Sequence, residues 1–206
     1  MKILIISGTP KQDGICDSLV KAAASSAKDS GAEAEIIKLA EQNLERCRMC
    51  GDGWGTCREQ RICEFDGNFN ALQEKVREAG AFVYITPVYW SDVSEALKNY
   101  FDKLRRCQAS KRWATGNLNN GAVGGIGGSY LFGKPSIIVA SAGGGGGGII
   151  NTFKQMELAI THMGGDSGQR SKSGIYDYIA VNRWNQEYKR ESLKAAVKSL
   201  INNMKS

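Results

Sequence analysis

The chain has 206 residues, of which 42% are hydrophobic, 23% charged and 8% aromatic. This composition excludes a collagen, a coiled coil and a wholly disordered chain, and the length suits one α/β domain with a proper core. The net charge is +6, but the basic residues form no long run and no RNA-binding aromatic motif, so we expect no nucleic-acid partner. No apolar stretch approaches the roughly 18 residues of a membrane helix, so we expect no membrane partner.

Glycine and cysteine are the two unusual residue types. There are 25 glycines and six cysteines, and four of the cysteines fall within residues 47–63. The first apolar run is too short for a signal peptide, so we expect a cytoplasmic protein whose thiols stay reduced. The clustered cysteines then favour metal or redox chemistry over a disulfide framework.

Five short apolar segments predict strands that are buried in a sheet. They lie at residues 2–7, 34–39, 81–86, 136–141 and 175–181. Apolar residues recur with helical spacing in five stripes, which begin at Leu19, Phe69, Val93, Phe153 and Leu193. Strands that alternate with helices predict a parallel sheet with helices on both faces. We therefore expect one α/β domain over residues 1–206, with a cysteine-rich insert at about 43–66 and a glycine-rich irregular stretch at about 115–133.

Glycines and one capping pattern mark the helix ends. Gly31, Gly80 and Gly164 each follow an apolar stripe, where a helix stop is expected. Asp92 and Glu95 have the spacing of a capping box, which predicts that the third helical stripe begins just after Asp92.

Three predicted strand ends carry unusual sequence, and ligands of an open parallel sheet bind at such ends. The first, Ser7 to Cys16, leads into a helix whose free N–H groups favour an anion, although an ordinary polar turn fits equally well. It matches neither the P-loop nor the dinucleotide-binding pattern. The second, Thr86 to Ser91, has two aromatic residues that can stack on a flat ligand or pack in an interface. The third, Ser141 to Gly148, ends in six glycines, which suit a ligand lying on the backbone or a mobile loop.

Together these loops resemble the NADPH-dependent FMN reductases and the iron–sulfur flavoproteins. The resemblance covers nearly the whole chain: the GTPKQDG loop, the insert that ends at Cys63 and Asp66, the segment TPVYWSDVSEALKNYFDKL, and VNRWNQEYK at 181–189. It implies a flavodoxin-like three-layer sandwich, with a five-stranded parallel sheet in the order 2-1-3-4-5 and helices on both faces.

The resemblance further implies FMN, bound non-covalently at the ends of the first, third and fourth strands. The phosphate would lie at Thr9, Lys11, Ile15 and Cys16, the last two acting mainly through backbone. The ribityl chain and the isoalloxazine ring would lie along Thr86, Pro87, Val88, Tyr89 and Trp90, and the ring would approach Ser141, Gly143 and Gly144. Family loops often carry Arg, Asn and Thr or Ser where this chain has Lys11, Ile15 and Cys16.

Four cysteines form one candidate metal loop. Cys47, Cys50, Cys57 and Cys63 have the spacing C-x2-C-x6-C-x5-C, which suits a [4Fe–4S] cluster or a tetrahedral zinc ion. The iron–sulfur flavoproteins carry a compact cluster motif at this point, with a shorter second gap. The resemblance therefore favours an iron–sulfur cluster over zinc. A loop that binds no metal is the remaining alternative. Nearby Arg46, Arg48 and Arg58 would offset the charge of four thiolates, or are simply solvated.

The remaining cysteines and the single histidine are interpreted as structural. Cys107 fits a buried small residue, and so does Cys16, although its place near a helix start could instead lower its pKa. His162 has no Ser and Asp partners in a recognisable pattern, so no hydrolase triad is predicted.

The expected function is an oxidoreductase in which FMN takes hydride from NAD(P)H and passes electrons to a free flavin, a quinone, an iron–sulfur centre or a redox protein. The cofactor carries this chemistry, so no catalytic side chain is predicted. One alternative is a non-enzymatic electron carrier, and another is a zinc-stabilised binding module without FMN. The resemblance also implies a homodimer or homotetramer, for which the aromatics Tyr89, Trp90, Tyr130 and Phe132 are suitable contacts.

Overall fold

A five-stranded parallel sheet forms the centre of the molecule. The computed structural model describes residues 1–51, 55–108, 130–131, 133–163 and 174–205, without the side chains of 58, 59 and 162. The strands are β1 (Lys2–Ser7), β2 (Glu33–Lys38), β3 (Ala81–Pro87), β4 (Ser136–Ala142) and β5 (Ile175–Asn182). They lie side by side in the order β2-β1-β3-β4-β5, all parallel. The predicted flavodoxin-like α/β fold and strand order are confirmed.

Helices cover both faces of this sheet. In the described ranges they are α1 (Ile15–Asp29), α2 (Cys57–Gln60), α3 (Gly67–Glu78), α4 (Glu95–Gln108), α5 (Ile149–Met163) and α6 (Gln186–Lys205). Helices α1 and α6 pack on one face, and α3, α4 and α5 pack on the other. The short helix α2 lies inside the cysteine insert and was not predicted, because four residues are too few to show a helical period. Across the described part of the chain, no helix is both long and apolar enough to cross a membrane.

The central strands are apolar on both faces because both faces are buried. Ile3, Ile5 and Val83 point to the α1 and α6 side, whereas Leu4 and Phe82 point to the α3, α4 and α5 side. Their side chains are fully buried. This explains why the strands read as continuous apolar runs rather than as alternating patterns. The central strands are thus packed on both faces, and the loops that follow them begin from this buried core.

The strand order reverses between β1 and β3. From β1 the chain passes to β2 on one side, and it later returns to β3 on the other side. Such a switch point leaves a crevice at the carboxyl ends of the two strands, where ligands of this architecture bind. The loops after β1, β3 and β4 all meet at that edge.

The predicted capping box at Asp92 and Glu95 is wrong. Helix α4 begins at Glu95, and Ser94 occupies the cap position, where its Oγ accepts a hydrogen bond from the N–H of Leu97 at 3.4 Å. Asp92 instead closes a tight turn with Tyr89, because two backbone hydrogen bonds of 3.0 Å join these residues. The predicted stop at Gly31 is confirmed by its φ of +74°, whereas Gly164 lies outside the described residues.

Candidate active site

The first loop passes very close to the start of α4, and Gly8 makes this possible. Its N–H donates to the carbonyl of Ile85 at 2.8 Å, which extends the pairing of β1 with β3. A Cβ atom at Gly8 would lie 2.5 Å from Ser94 Oγ and 2.9 Å from Leu97 Cβ. Any side chain at this position would therefore push the loop away from α4.

Thr9 organises the backbone of the same loop. Its Oγ1 accepts a hydrogen bond from the N–H of Lys11 at 3.3 Å, and its own N–H donates to Ser7 Oγ at 3.4 Å. Thr9 is nearly buried and Lys11 is exposed. Helix α1 begins soon afterwards at Ile15, and the first N–H groups of a helix lack acceptors within the helix. The loop and the helix start together form a site that suits an anion.

Asp17 lies in the first turn of α1, close to this candidate anion site. Its carboxylate is buried and pairs with Lys21 at 2.8 Å and with Lys38 at 3.4 Å. The hydrogen bond from Lys21 lowers the pKa of Asp17, although burial opposes this shift. Asp17 is therefore ionised, and the two lysines balance its charge.

Cys16 connects the first loop to the third. Its side chain is buried, and burial raises the pKa of the thiol to about 11 even though hydrogen bonds with Ser141 and Thr9 act in the opposite direction. Cys16 is a neutral, packed thiol, which confirms its interpretation as a buried small residue. Because the Cys16 side chain is buried, a ligand at the helix start would meet the backbone of this residue.

The second loop is tied to both of its neighbours. Thr86 Oγ1 accepts from the N–H of Ser94 at 3.0 Å and donates to the Pro87 carbonyl at 2.9 Å. The N–H of Val88 donates to the Ser141 carbonyl at 2.9 Å. These bonds join the ends of β3 and β4 to the start of α4, so the loops form one surface.

Trp90 stands at the tip of the second loop with its indole fully in solvent. Its relative exposure is 101%, and Tyr89 beside it is about half exposed. Trp90 and Ser91 have φ values of +51° and +64°, two successive positive values of the kind found in type I′ turns. Such backbone is costly for residues other than glycine and is often found at functional sites.

The third loop leaves open space beside its first glycines. Gly143 and Gly144 are exposed, and a Cβ atom at either would meet nothing within 4 Å. At the other end of the loop, a Cβ atom at Gly148 would lie 2.8 Å from the Cα of Ser91. The glycine run is therefore open where a ligand is expected and packed where it meets the second loop.

A cleft of about 430 Å³ opens between the first loop, the second loop and the segment that follows β2. Its size falls within the range of small-molecule sites, about 300–1,000 Å³. Its lining residues are Gly8, Pro10, Leu39, Ala40, Asn43, Leu44, Arg46, Tyr89, Ser94, Glu95, Ala96 and Asn99. Of the predicted flavin residues, the structure brings Tyr89 to this cleft.

All four cysteines of the predicted metal loop line one cavity. Cys47, Cys50, Cys57 and Cys63 are half-buried there, beside the aromatic rings of Phe65 and Phe69. Burial raises the pKa of Cys57, and the nearby thiols Cys50, Cys63 and Cys47 raise it further. No three Cys, His, Asp or Glu side chains of the described residues are nevertheless placed to ligate a single metal ion.

The cavity also contains residues from α4 that the sequence analysis did not assign to it. These are Lys103, Arg106 and Cys107. The cavity is also lined by the predicted loop arginines Arg46 and Arg48, which pair with Glu95 and Glu45. The side chain of Arg58 lies outside the described set. Cys107 is buried, as predicted, and lines the cavity together with the loop cysteines. The only signal in the sequence is that Lys103 and Cys107 are one helical turn apart on α4.

A buried ion pair holds both ends of the cysteine loop against α4. Asp66 caps α3 by accepting from the N–H of Phe69 at 2.9 Å, and it also accepts from the N–H of Glu45 at 3.0 Å. Lys103 Nζ lies 2.7 Å from the Asp66 carboxylate and donates to the Glu45 carbonyl at 3.0 Å. Glu45 precedes Cys47 and Asp66 follows Cys63, so this pair closes the loop at its base.

Two asparagines complete the attachment of the loop. The side chain of Asn70 bonds to both backbone groups of Cys63, at 2.7 Å and 2.8 Å. Asn99 on α4 donates to the Leu44 carbonyl at 3.1 Å. The cysteine loop is thus fixed to α3 and α4 through its backbone.

Arg46 connects the cleft with the cysteine cavity, because it lines both. Its guanidinium pairs with Glu95, the first residue of α4. The two candidate sites are therefore neighbours at the same corner of the molecule.

The aromatic residues that were expected at a subunit contact differ in their exposure. Tyr89 and Trp90 are exposed, as their expected place in a contact requires. Tyr130 is partly buried, and the Arg61 guanidinium lies 4.9 Å from its ring centre, so it packs within the chain. Phe132 and the side chain of His162 lie outside the described residues.

Comparison with known proteins agrees with these features. A model of the NADPH-dependent FMN reductase family matches residues 1–165. An iron–sulfur flavoprotein of Methanosarcina thermophila is 33% identical over 141 residues, which are 67% of this chain and 69% of that protein. An iron–sulfur flavoprotein of Methanocaldococcus jannaschii is 32% identical over 105 residues, about half of either chain.

Solved structures show the same fold. An FMN-dependent NADH-azoreductase from Bacillus anthracis superposes over the full length of both chains with a TM-score of 0.65 and 12% identity. An NAD(P)H:quinone oxidoreductase from Methanothermobacter marburgensis gives a TM-score of 0.61 at 16% identity, covering 97% of this chain and 96% of that one. The expected resemblance and the oxidoreductase class are confirmed at the level of the family: this chain belongs to the NADPH-dependent FMN reductases.

Proposed function

We propose that this protein passes electrons between NAD(P)H and an acceptor through FMN, and that its cysteine cavity holds a [4Fe–4S] cluster. The observation that carries the proposal is the junction of two sites: the cleft at the sheet edge and the cysteine cavity share Arg46. A flavin site and a metal site in contact through one residue suit electron transfer between them. The names of the relatives, iron–sulfur flavoproteins, point to the same pair of cofactors.

The residues at the sheet edge fit FMN. Its phosphate would be held by Thr9, Lys11 and the backbone at Ile15 and Cys16, where the loop and helix start favour an anion. The second loop, from Thr86 to Trp90, would line the ribityl chain and ring, and Ser141, Gly143 and Gly144 would lie against the ring, where the structure leaves open space. When bound, FMN supplies a ring that accepts hydride from a nicotinamide and releases electrons to an acceptor. The protein binds and orients both reactants, and no acid–base side chain is required.

The names of the relatives favour an iron–sulfur cluster over zinc in the cysteine cavity. Four thiols surround one cavity, yet no three candidate ligands among the described side chains are close enough together for a single ion. A tetrahedral zinc ion needs all four sulfurs about 2.3 Å from one centre. Basic side chains line the cavity, and three of them pair with carboxylates: Lys103 with Asp66, Arg46 with Glu95 and Arg48 with Glu45.

A homodimer or homotetramer is the proposed assembly. Large apolar side chains are exposed around the carboxyl edge of the sheet, including Trp90 at 101%, Trp184 at 79%, and Tyr188 and Ile150 at 71% each. Exposed aromatic side chains beside a site are typical of protein interfaces. Sedimentation velocity should give a species of at least two chains, and a Trp90→Ser variant should shift it toward the monomer.

Anaerobic purification followed by cofactor analysis tests the proposal. We expect about one FMN and about four irons and four sulfides per chain, with little zinc. Addition of NADPH or NADH should bleach the flavin absorbance within seconds, and transfer to a quinone or a free flavin should follow. FMN without bleaching by either nicotinamide would favour the electron carrier that takes electrons from a redox protein. Zinc without flavin would overturn the proposal in favour of a binding module.

A further inference from the structure

A group of aromatic and basic residues follows the end of β5, and the flavin site proposed above does not use it. Residues 183–190, RWNQEYKR, contain two aromatic residues and three basic residues, against one acidic residue, Glu187. This segment lies beyond residues 1–165, which the family model matches. It includes the start of α6, and the rings of Trp184 and Tyr188 are largely exposed there.

The end of β5 lies next to the glycine loop that follows β4. Ala142 pairs with Asn182 across these two strands, and neighbouring strands lie about 4.8 Å apart. A Cβ atom at Gly146 would lie 3.7 Å from Asn182 Nδ2. Arg183 and Trp184 therefore leave the sheet edge beside the point where the glycine run begins. A ligand that extends from the open glycines toward β5 would reach this segment next.

The backbone around Trp184 is held in place by two asparagines. Asn182 Oδ1 accepts hydrogen bonds from the N–H of Trp184 at 2.9 Å and from the N–H of Asn185 at 3.0 Å. Asn185 Oδ1 in turn accepts from the N–H of Asn182 at 2.8 Å. The turn is thus fixed, although the indole of Trp184 stays largely in solvent. A ring on a fixed backbone loses less conformational freedom when a flat ligand stacks on it.

Each exposed ring of the segment has a cation beside it. The guanidinium carbon of Arg183 lies 5.4 Å from the ring centre of Trp184, and Lys189 Nζ lies 5.4 Å from the ring centre of Tyr188. Within the described residues, neither cation pairs with a carboxylate. Rings that carry uncompensated positive charge suit a flat anionic ligand better than an apolar contact between subunits.

We propose that Arg183 and Trp184 bind the 2′-phosphoadenosine half of NADPH and make this protein prefer NADPH to NADH. The adenine would stack on the indole, and the 2′-phosphate would lie at the guanidinium. This inference rests on the proposed function, because it names the donor. Nucleobases stack on exposed aromatic side chains, and the planar guanidinium matches a phosphate. An acidic residue favours the 2′-hydroxyl of NADH, whereas an arginine accommodates the 2′-phosphate of NADPH.

The test compares the FMN-loaded wild type with R183M, W184A and W184F. K198M is the matched control, because Lys198 is an exposed cation further along α6 and its loss removes the same charge. The rate of flavin bleaching is measured against the concentration of NADPH and of NADH. Calorimetry with 2′,5′-ADP and with 5′-AMP measures binding without any reduction of the flavin. Sedimentation velocity gives the oligomeric state of each protein.

We expect R183M to raise the NADPH concentration at half-maximal rate about tenfold and to leave that for NADH nearly unchanged. R183M should weaken 2′,5′-ADP by about the same factor and 5′-AMP much less. W184A should weaken both coenzymes and both fragments about fivefold, and W184F should restore most of that loss. K198M should match the wild type throughout, and no variant should change the oligomeric state.

Two results would overturn the inference while leaving the proposed function intact. If R183M changes neither the coenzyme preference nor the affinity for 2′,5′-ADP, this segment binds no phosphoadenosine. If W184A shifts the protein toward the monomer, the segment is a subunit contact. If neither coenzyme bleaches the wild-type flavin, the proposed function fails instead, and binding of 2′,5′-ADP that depends on Arg183 would then support the nucleotide site by itself.

Discussion

Lys103 Nζ lies 2.7 Å from the Asp66 carboxylate, and both side chains are almost completely buried. The two residues are far apart in sequence and come from different elements: Asp66 caps α3, and Lys103 lies in the middle of α4. Through the Glu45 carbonyl and N–H, the pair also holds the segment that leads into the cysteines. The base of the candidate metal loop is therefore an ion pair inside the protein.

Replacing Lys103 with methionine should destabilise the fold strongly, because Asp66 is left as a buried charge without its partner. Such losses cost about 3–5 kcal/mol of unfolding free energy. Urea unfolding followed by far-UV circular dichroism measures the effect. Lys98→Met is the matched control, because Lys98 pairs with Asp102 at 2.6 Å on the exposed face of the same helix. Such surface pairs contribute about 1 kcal/mol or less.

The combined variant D66N/K103M provides a further check on that account. Neutralising both partners removes the uncompensated charge, so the double variant should be more stable than K103M alone. Equal stability of K103M and K98M would show that the pair contributes nothing through its burial.

The stability contributed by Asp66 should depend on pH in a defined direction. Burial alone would raise the pKa of Asp66, but hydrogen bonds from Lys103 and the Phe69 N–H, and the charge of Lys103, lower it overall. A carboxyl with a lowered pKa in the folded state contributes stability fully above its unfolded value, near 3.9. That contribution is lost as the pH falls through the lower, folded pKa.

Comparison of wild type with D66N measures this dependence. The difference in unfolding free energy should be largest and constant at pH 5–7, and it should shrink as the pH falls below about 4. A difference that grows on acidification would contradict the assigned direction of the pKa shift.

Gly8→Ala should disturb the loop around the candidate flavin site. The added Cβ would meet Ser94 Oγ at 2.5 Å and Leu97 Cβ at 2.9 Å. Overpacking of this kind costs about 1–3 kcal/mol, and the displaced loop should weaken FMN binding by at least tenfold. Fluorescence titration of apoprotein with FMN measures the affinity, and thermal unfolding of the same apoprotein measures the stability.

Gly144→Ala should separate binding from folding. A Cβ atom there would meet no protein atom within 4 Å, so the unfolding free energy should change by less than about 0.5 kcal/mol. If the flavin ring lies on this backbone, the FMN dissociation constant should rise at least fivefold. Gly67→Ala is the control, because a Cβ atom at Gly67 also meets nothing within 4 Å and Gly67 belongs to none of the three predicted flavin loops. Unchanged FMN affinity in G144A would remove the ring from this loop.

Cys16 should resist alkylation in the folded protein. Burial raises the pKa of its thiol to about 11, so at pH 8 only about one molecule in a thousand carries the reactive thiolate. Native protein treated with iodoacetamide at pH 8 and mapped by mass spectrometry should show Cys16 modified at least a hundredfold more slowly than in urea. Modification at the unfolded rate would mean that the site between the first and third loops is open.

The strands and the order of the sheet follow from the sequence because they depend on local patterns. Continuous apolar runs such as 81–86 mark strands with two buried faces, and alternation with helical stripes leaves few parallel topologies. The edge where the loops meet follows from the same topology, since parallel strands end on one side. The start of α4 did not follow from the sequence pattern. Ser94 caps this helix in place of Asp92, because Asp92 forms the turn with Tyr89.

The composition of the cysteine cavity could be read only in part from the sequence. The spacing of four cysteines indicated a loop that can surround one centre, and the arginines beside them indicated its charge. Only the tertiary structure brought Cys107, Lys103 and Arg106 to that loop, because α4 crosses it about 40 residues further along the chain. A local pattern determines which elements form, whereas the contacts between distant elements depend on how their faces pack. Tertiary packing therefore decided that Lys103 is the partner of Asp66.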